Sequence, residues 1–145
     1  MASGIKITGE EMRYIALFEN ITGATARDCV IDEKENRVIF VVKPGDVGRA
    51  IGTRGSRIQT LHRMVGKDVE VVEYADVPAS FIKNLLSPAK VREVRITDKP
   101  DGRRVAIASI EPRDKGIAIG KNGKNAERTR LFAKRYFQID DVIIT

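Results

Sequence analysis

Cysteine, histidine and tryptophan are nearly missing from this sequence: one Cys, one His and no Trp in 145 residues. A lone Cys29 rules out an internal disulfide, and with His62 as the single imidazole no zinc site can be assembled. No metal and no cofactor is therefore expected. No stretch approaches the roughly 20 apolar residues of a membrane span. Met1-Ala-Ser-Gly passes directly into a patterned segment without the apolar core of a signal peptide. The expectation is a cytoplasmic chain with no membrane partner. No carboxylate pair or Ser/His/Asp set stands out, so no catalytic residues and no small-molecule substrate are expected. Aromatic residues are sparse, and Tyr14, Phe18, Phe40, Phe81, Phe132 and Phe137 fall on helix or strand core periods. Platforms for base stacking are thus poorly supported. Cys29 lies in a β-rich run and reads as a small buried apolar residue; His62 follows Leu61 on a helix and reads as structural or surface.

What the chain does have is a glycine pattern, twice. Gly48-Arg-Ala-Ile-Gly-Thr-Arg-Gly55 and Gly116-Ile-Ala-Ile-Gly-Lys-Asn-Gly123 share the form Gly-x-Ala-Ile-Gly-x-x-Gly, 68 residues apart. Pro44 and Pro112 match at the same offset, as do Asp46 and Asp114. Self-similarity of this kind means one unit present twice. The residues on either side of each loop read as helix, so the second helix aims free N–H groups and a positive dipole end at the turn. That arrangement suits an anion such as phosphate. Arg54 and Arg57 in the first copy, and Lys121 and Lys124 in the second, put positive charge beside it. Neither copy fits the nucleotide-binding fingerprints Gly-x-x-x-x-Gly-Lys-Ser/Thr or Gly-x-Gly-x-x-Gly.

Charge agrees with a polyanionic partner. Lys and Arg number 26 against 20 Asp and Glu, a net +6. From Arg103 to Arg135 the second half carries ten cations against Glu111, Asp114 and Glu127, while the N-terminal third is near neutral or acidic.

The element order follows from local signals. Thr8-Gly-Glu-Glu11 is a capping box, with Ile7 and Met12 placed for a hydrophobic staple and Gly23 as the stop. Cys29 to Ile31 and Arg37 to Val42 form a hairpin, Pro44-Gly45 ends it, two helices flank the loop, and Val69 to Tyr74 is a third strand. The second half repeats this. Asp76 caps a helix containing Phe81, Ile82, Leu85 and Leu86. Val91 to Thr97 and Arg103 to Ile110 form a hairpin around Lys-Pro-Asp-Gly102. Helices at Arg113–Ile119 and Lys124–Tyr136 flank the loop, and Ile139 to Thr145 is the last strand. Two domains, 1–75 and 76–145, are expected, in a fixed relation because the linker lacks Gly/Ser filling.

A Gly-x-x-Gly loop between two helices is the feature that clamps a nucleic-acid backbone in KH domains. The α-β-β-α-α-β order resembles the prokaryotic, type II, KH arrangement. The expected fold class is α+β: two tandem type II KH domains, each a three-stranded sheet with helices on one face. Several runs extend the likeness: Glu-Met-Arg-Tyr-Ile-Ala-Leu-Phe18, Gly-Ala-Thr-Ala-Arg-Asp28, Glu-Asn-Arg-Val-Ile-Phe-Val-Val42, Glu-Pro-Arg-Asp-Lys-Gly116 and Ala-Lys-Arg-Tyr-Phe137. On these the chain resembles the archaeal branch of the NusA family of transcription factors. The first loop departs from the family pattern, with Thr53-Arg54 where members commonly have lysine and glycine. The resemblance implies single-stranded RNA as partner, RNA polymerase as a further one, a monomer, and a role in elongation or termination. The residues expected to hold RNA are Ile51, Gly52, Thr53, Arg54, Gly55, Arg57 and Ile58, then Ile119, Gly120, Lys121, Asn122, Gly123, Lys124 and Arg128. The alternative is an RNA-binding or protein-docking KH module of the ribosome or of RNA processing.

Overall fold

Thr8 and Glu11 cap each other at the start of the chain's first helix. The Thr8 hydroxyl accepts from the Glu11 amide at 3.1 Å, and the Glu11 carboxylate accepts from the Thr8 amide at 2.9 Å. The computed structural model describes residues 5–145. It divides into two compact units, Lys6–Tyr74 and Ala75–Thr145 with Ile5.

In the first unit the order is α1 (Gly9–Thr22), β1 (Ala26–Asp32), β2 (Arg37–Val42), α2 (Val47–Ile51), a 3-10 turn at Thr53–Gly55, α3 (Ser56–Val65) and β3 (Asp68–Glu73). The sheet order is β1-β2-β3; β1 runs antiparallel to β2 and β3 parallel to it. Val38, Phe40 and Val42 alternate toward a core with Phe18, Cys29, Ala50 and Leu61. Phe18 stacks on Phe40 with ring centroids 4.2 Å apart. All six residues of β2 are buried, Arg37 among them. Its guanidinium lies between two carboxylates, Nε 2.8 Å from Asp32 and Nη1 3.3 Å from Glu70.

The second unit has the same order: α4 (Pro78–Leu86), β4 (Val91–Asp98), β5 (Arg104–Ile110), a 3-10 turn at Pro112–Asp114, α5 (Lys115–Ile119), a 3-10 turn at Lys121–Gly123, α6 (Lys124–Phe137) and β6 (Asp141–Ile144). Its sheet order is β4-β5-β6, again antiparallel then parallel. Ala106, Ala108 and Ile110 face Ile82, Leu86, Ala118 and Ala133. Phe81 packs edge-on against Phe132, Tyr136 and Phe137. The aromatic residues fill cores, as their spacing suggests.

Three local expectations change. Met12 is 62% exposed and makes no staple across the start of α1. Asp76 is not the cap of α4: Val77 holds that position without a side-chain bond, and Pro78 opens the helix with its fixed φ. Strand β1 begins at Ala26, three residues before the β-rich run, through an irregularity between Ala26 and Asp28. Tertiary pairing with Val42 supplies what local propensity lacks there.

Candidate nucleic-acid interface

Each loop sits where a short helix ends and a longer one begins, and the short helix is anchored by one alanine. Ala50 in α2 and Ala118 in α5 are fully buried, while the next residue outward, Ile51 or Ile119, stays 40% or 42% exposed. Ile58 is half-buried on the first turn of α3. Aliphatic surface therefore flanks each glycine turn.

The two turns agree angle for angle. Gly52 and Gly120 take φ 78°, ψ 174° and φ 80°, ψ 167°. Arg54 and Asn122 are left-handed at φ 55° and 58°. Gly55 and Gly123 follow at φ 73° and 76°. A β-carbon on the first glycine would be strained by its φ and would also collide. It would lie 2.8 Å from Cγ of Arg57 in one unit and 2.8 Å from Cγ of Asn125 in the other. The turn leaves Thr53, Arg54, Lys121 and Asn122 exposed at its tip, in front of the positive ends of α3 and α6.

The side chains crossing beneath those glycines are hydrogen-bonded. Arg57 Nη1 donates to the Arg49 carbonyl of α2 at 2.5 Å and to the Thr22 carbonyl at the end of α1 at 3.2 Å. Asn125 Nδ2 donates to the Ile117 carbonyl of α5 at 3.0 Å. Arg49 adds a long bond to the Gly23 carbonyl, 3.4 Å. Helix α1 has no basic residue in its last turn, and these two arginines supply the positive charge its C-terminus favours.

Of the residues expected to touch RNA, the structure gathers most at the two tips and gives two of them carbonyl partners. Arg57 is exposed, with its Nη1 on two carbonyls. Arg128 is buried, with Nη2 2.7 Å from the Leu85 carbonyl of α4. Both bonds have one physical reason: a helix C-terminus leaves carbonyls without intrahelical donors, and a long guanidinium reaches them. Lys124 is half-buried at the start of α6. Arg54 in the first unit, and Arg113, Lys115 and Lys121 in the second, are among the exposed cations near the loops. Farther along α6, Arg130 pairs with Asp141 at 3.2 Å and Lys134 with Asp140 at 2.6 Å. The Asp140 carboxyl is held below its ordinary pKa by the Lys134 bond first, and by the Arg104 amide.

Sequence reasoning missed Asn125 and Ile117. Asn125 stands 68 residues after Arg57, and Ile117 the same distance after Arg49. Applying the repeat offset beyond the glycines would have found both. Among the described residues no helix is long and apolar enough to cross a membrane, and no group of three or more His, Cys, Asp or Glu could hold a metal ion.

Two α-β-β-α-α-β units, each with a Gly-x-x-Gly turn between its last two helices, define a tandem KH protein. Family profiles agree: the KH domain matches residues 12–83, and the NusA-like second KH domain matches residues 78–140. The chain is 41% identical to "Probable transcription termination protein NusA" of Halobacterium salinarum over 141 residues, 97% of this chain and 99% of that one. It is 36% identical to the protein of the same name from Methanocaldococcus jannaschii, covering 95% of this chain and 74% of that one. A solved structure, "Crystal structure of APE1850", superposes with a TM-score of 0.86 at 42% identity, over 96% of this chain and all of that one. The chain belongs to the NusA family.

Proposed function

We propose that this protein binds single-stranded RNA and acts as a transcription elongation or termination factor. Its two loops, 52–55 and 120–123, grip the RNA backbone. The observation that carries the reading is the recurrence of one turn geometry, three positive φ angles in each copy, in front of a helix N-terminus and beside exposed cations. Backbone amides and side-chain charge there favour a phosphate. Gly52, Thr53, Arg54 and Gly55 would contact the strand in the first unit, and Gly120, Lys121, Asn122, Gly123 and Lys124 in the second. Ile51, Ile58 and Ile119 would give apolar contact to bases. The names of the family's members support a place in transcription. RNA polymerase is the protein partner this reading implies, in the cytoplasm, and one chain carries both loops, so a monomer suffices.

The test is binding of fluorescent RNA across a salt series. Affinity for an unpaired oligonucleotide should fall linearly on a logarithmic salt scale as counterions are released. Duplex RNA should compete poorly, since its bases are not splayed for a groove. An RNA of about ten nucleotides should bind more tightly than one of about five, because each KH unit holds about four and the second contact is then intramolecular. Affinity that is flat with salt would overturn the reading.

A further inference from the structure

We infer that Arg57 and Asn125 are the positioning residues of the two loops: each holds the carbonyl three residues before the first loop glycine, and neither touches the bound strand. The inference rests on the RNA-binding reading above.

Three observations converge on the same pair of positions. Arg57 and Asn125 are equivalent in the repeat, and so are the carbonyls they reach, Arg49 and Ile117. Residue type differs completely, a long cation in one unit and a short neutral amide in the other. What the two share is an N–H donor pointed at the same backbone oxygen. The space above each is reserved for glycine, since a β-carbon there meets Cγ rather than a movable side-chain tip. The charge is not held at this position in both units, since the second carries its cation one residue earlier, at Lys124 where the first has Ser56. The hydrogen bond is held at it in both.

The physical consequence is a fixed turn. Helices α2 and α5 have five residues each, too few to hold their own ends. The carbonyl of residue 49 or 117 is among their last, and a donor from the next helix clamps the short helix to the long one. The loop amides then keep a single aim at a phosphate. In the first unit the same guanidinium also reaches Thr22, so loop and α1 are clamped together.

The experiment uses the full chain, an unpaired ten-nucleotide RNA and two readouts, RNA affinity across salt and amide hydrogen exchange at Gly55 and Gly123. Arg57→Ala and Asn125→Ala should each weaken binding about three- to tenfold, with the salt slope unchanged and the loop amide exchanging faster. Arg54→Ala and Lys121→Ala should lower the slope by about one unit each. Arg57→Asn, which copies the second unit, should bring affinity back to within about twofold of the parent. If Arg57→Asn stays as weak as Arg57→Ala and both lower the slope by one, Arg57 is a phosphate contact and the inference is wrong. It is equally wrong if both alanine variants bind and exchange like the parent. If the parent binds no RNA, the RNA reading falls by itself. Exchange rates then decide the positioning role, and unchanged rates overturn it. Should Arg57→Ala fail to fold, Asn125→Ala carries the same comparison.

Discussion

In the first unit one side chain, Arg57, serves both the Arg49 carbonyl beneath its loop and the Thr22 carbonyl at the end of α1. In the second unit the two tasks are separate: Asn125 takes Ile117, and Arg128, one helical turn farther on, takes Leu85 at the end of α4. The same fold has thus solved one problem, donors for the ends of helices, with different residues. The difference teaches that cations near a loop are not interchangeable tokens of nucleic-acid affinity. Two of the most conspicuous, Arg57 and Arg128, are tied to carbonyls. The exposed charge that remains is placed differently. At the equivalent positions 45, 47 and 53 the first unit has Gly, Val and Thr, where the second has Arg113, Lys115 and Lys121. The order is reversed at others, with Lys43 against Glu111, Arg49 against Ile117, Arg54 against Asn122 and Arg57 against Asn125.

The largest effect should come from reversing charge at the tips. Thr53→Asp with Arg54→Asp, and Lys121→Asp with Asn122→Asp, change the net charge equally, so any difference reports the site. RNA affinity should fall on the order of a hundredfold for the second pair and on the order of tenfold for the first. All four positions are exposed, so thermal melts should barely move. Equal losses would erase the electrostatic contrast between the units. Survival of affinity in both would remove the loops as the binding site.

A smaller effect, on folding, should separate the two arginines that donate to helix-end carbonyls. Arg128→Ala leaves the Leu85 carbonyl without its donor and empties a buried site, and should destabilise by about 3 kcal/mol. Arg57→Ala, at a more exposed position, should lose about 1 to 2 kcal/mol. Denaturant midpoints at unchanged slope check both. If Arg57→Ala is the worse, the guanidinium on α1 matters more than burial does.

Smaller again is the backbone term at one of the reversed positions. Arg54 is left-handed at φ 55°, which a branched-β-free cation tolerates less well than Asn122 at φ 58°. Arg54→Gly should raise stability by about 0.5 kcal/mol, the relief exceeding glycine's entropy in the unfolded chain, while weakening RNA binding. Asn122→Gly should change stability less. A drop in stability for Arg54→Gly would show that the arginine's contacts outweigh its backbone cost.

The smallest effect belongs to one exposed ion pair found in the second unit, Asp140 with Lys134. The folded carboxyl lies below its ordinary value near 3.8. Its contribution is therefore complete above that pH and is lost as pH falls through the lower folded value. Melts of Asp140→Asn against the parent should differ slightly at neutral pH and converge in strong acid. A gap that widens with acid would contradict the pairing.

How far the sequence could be read depends on what each residue answers to. Helix and strand order was legible because Phe18, Leu85 and the run 37–42 follow periods set by one buried face, and because the glycines mark turns that L-residues avoid. The loop tips were legible for the same reason. Strand β1 was not legible before Cys29, since Ala26, Arg27 and Asp28 have no strand propensity and are recruited by pairing with β2. The carbonyl bonds of Arg57 and Arg128 were hidden for another reason. A guanidinium on a flexible stem can serve solvent, a phosphate or a carbonyl, and only the position of neighbouring helix ends decides which. Met12 shows the converse, an apolar residue at a staple position that no partner covers.

Arg37, enclosed between Asp32 and Glu70, bears on how the chain finds its alignment. The antiparallel pair β1–β2 is joined by a short connection that limits sliding, but the parallel pair β2–β3 is joined through two helices and a loop. Nothing in that connection dictates which residue of β3 lies beside which residue of β2. A slip of one residue would turn Glu70 to the opposite face and take away one of the two carboxylates beside a guanidinium that is 2% exposed, leaving Asp32. The charge cluster thus works as a key that fits one alignment, whatever it contributes to stability. At the equivalent place in the second unit stands Val105, 1% exposed. That unit has an apolar residue where the first has a keyed one, so misalignment there would meet no such penalty, and of the two sheets it is β4-β5-β6 whose last strand should be slower to choose its partners.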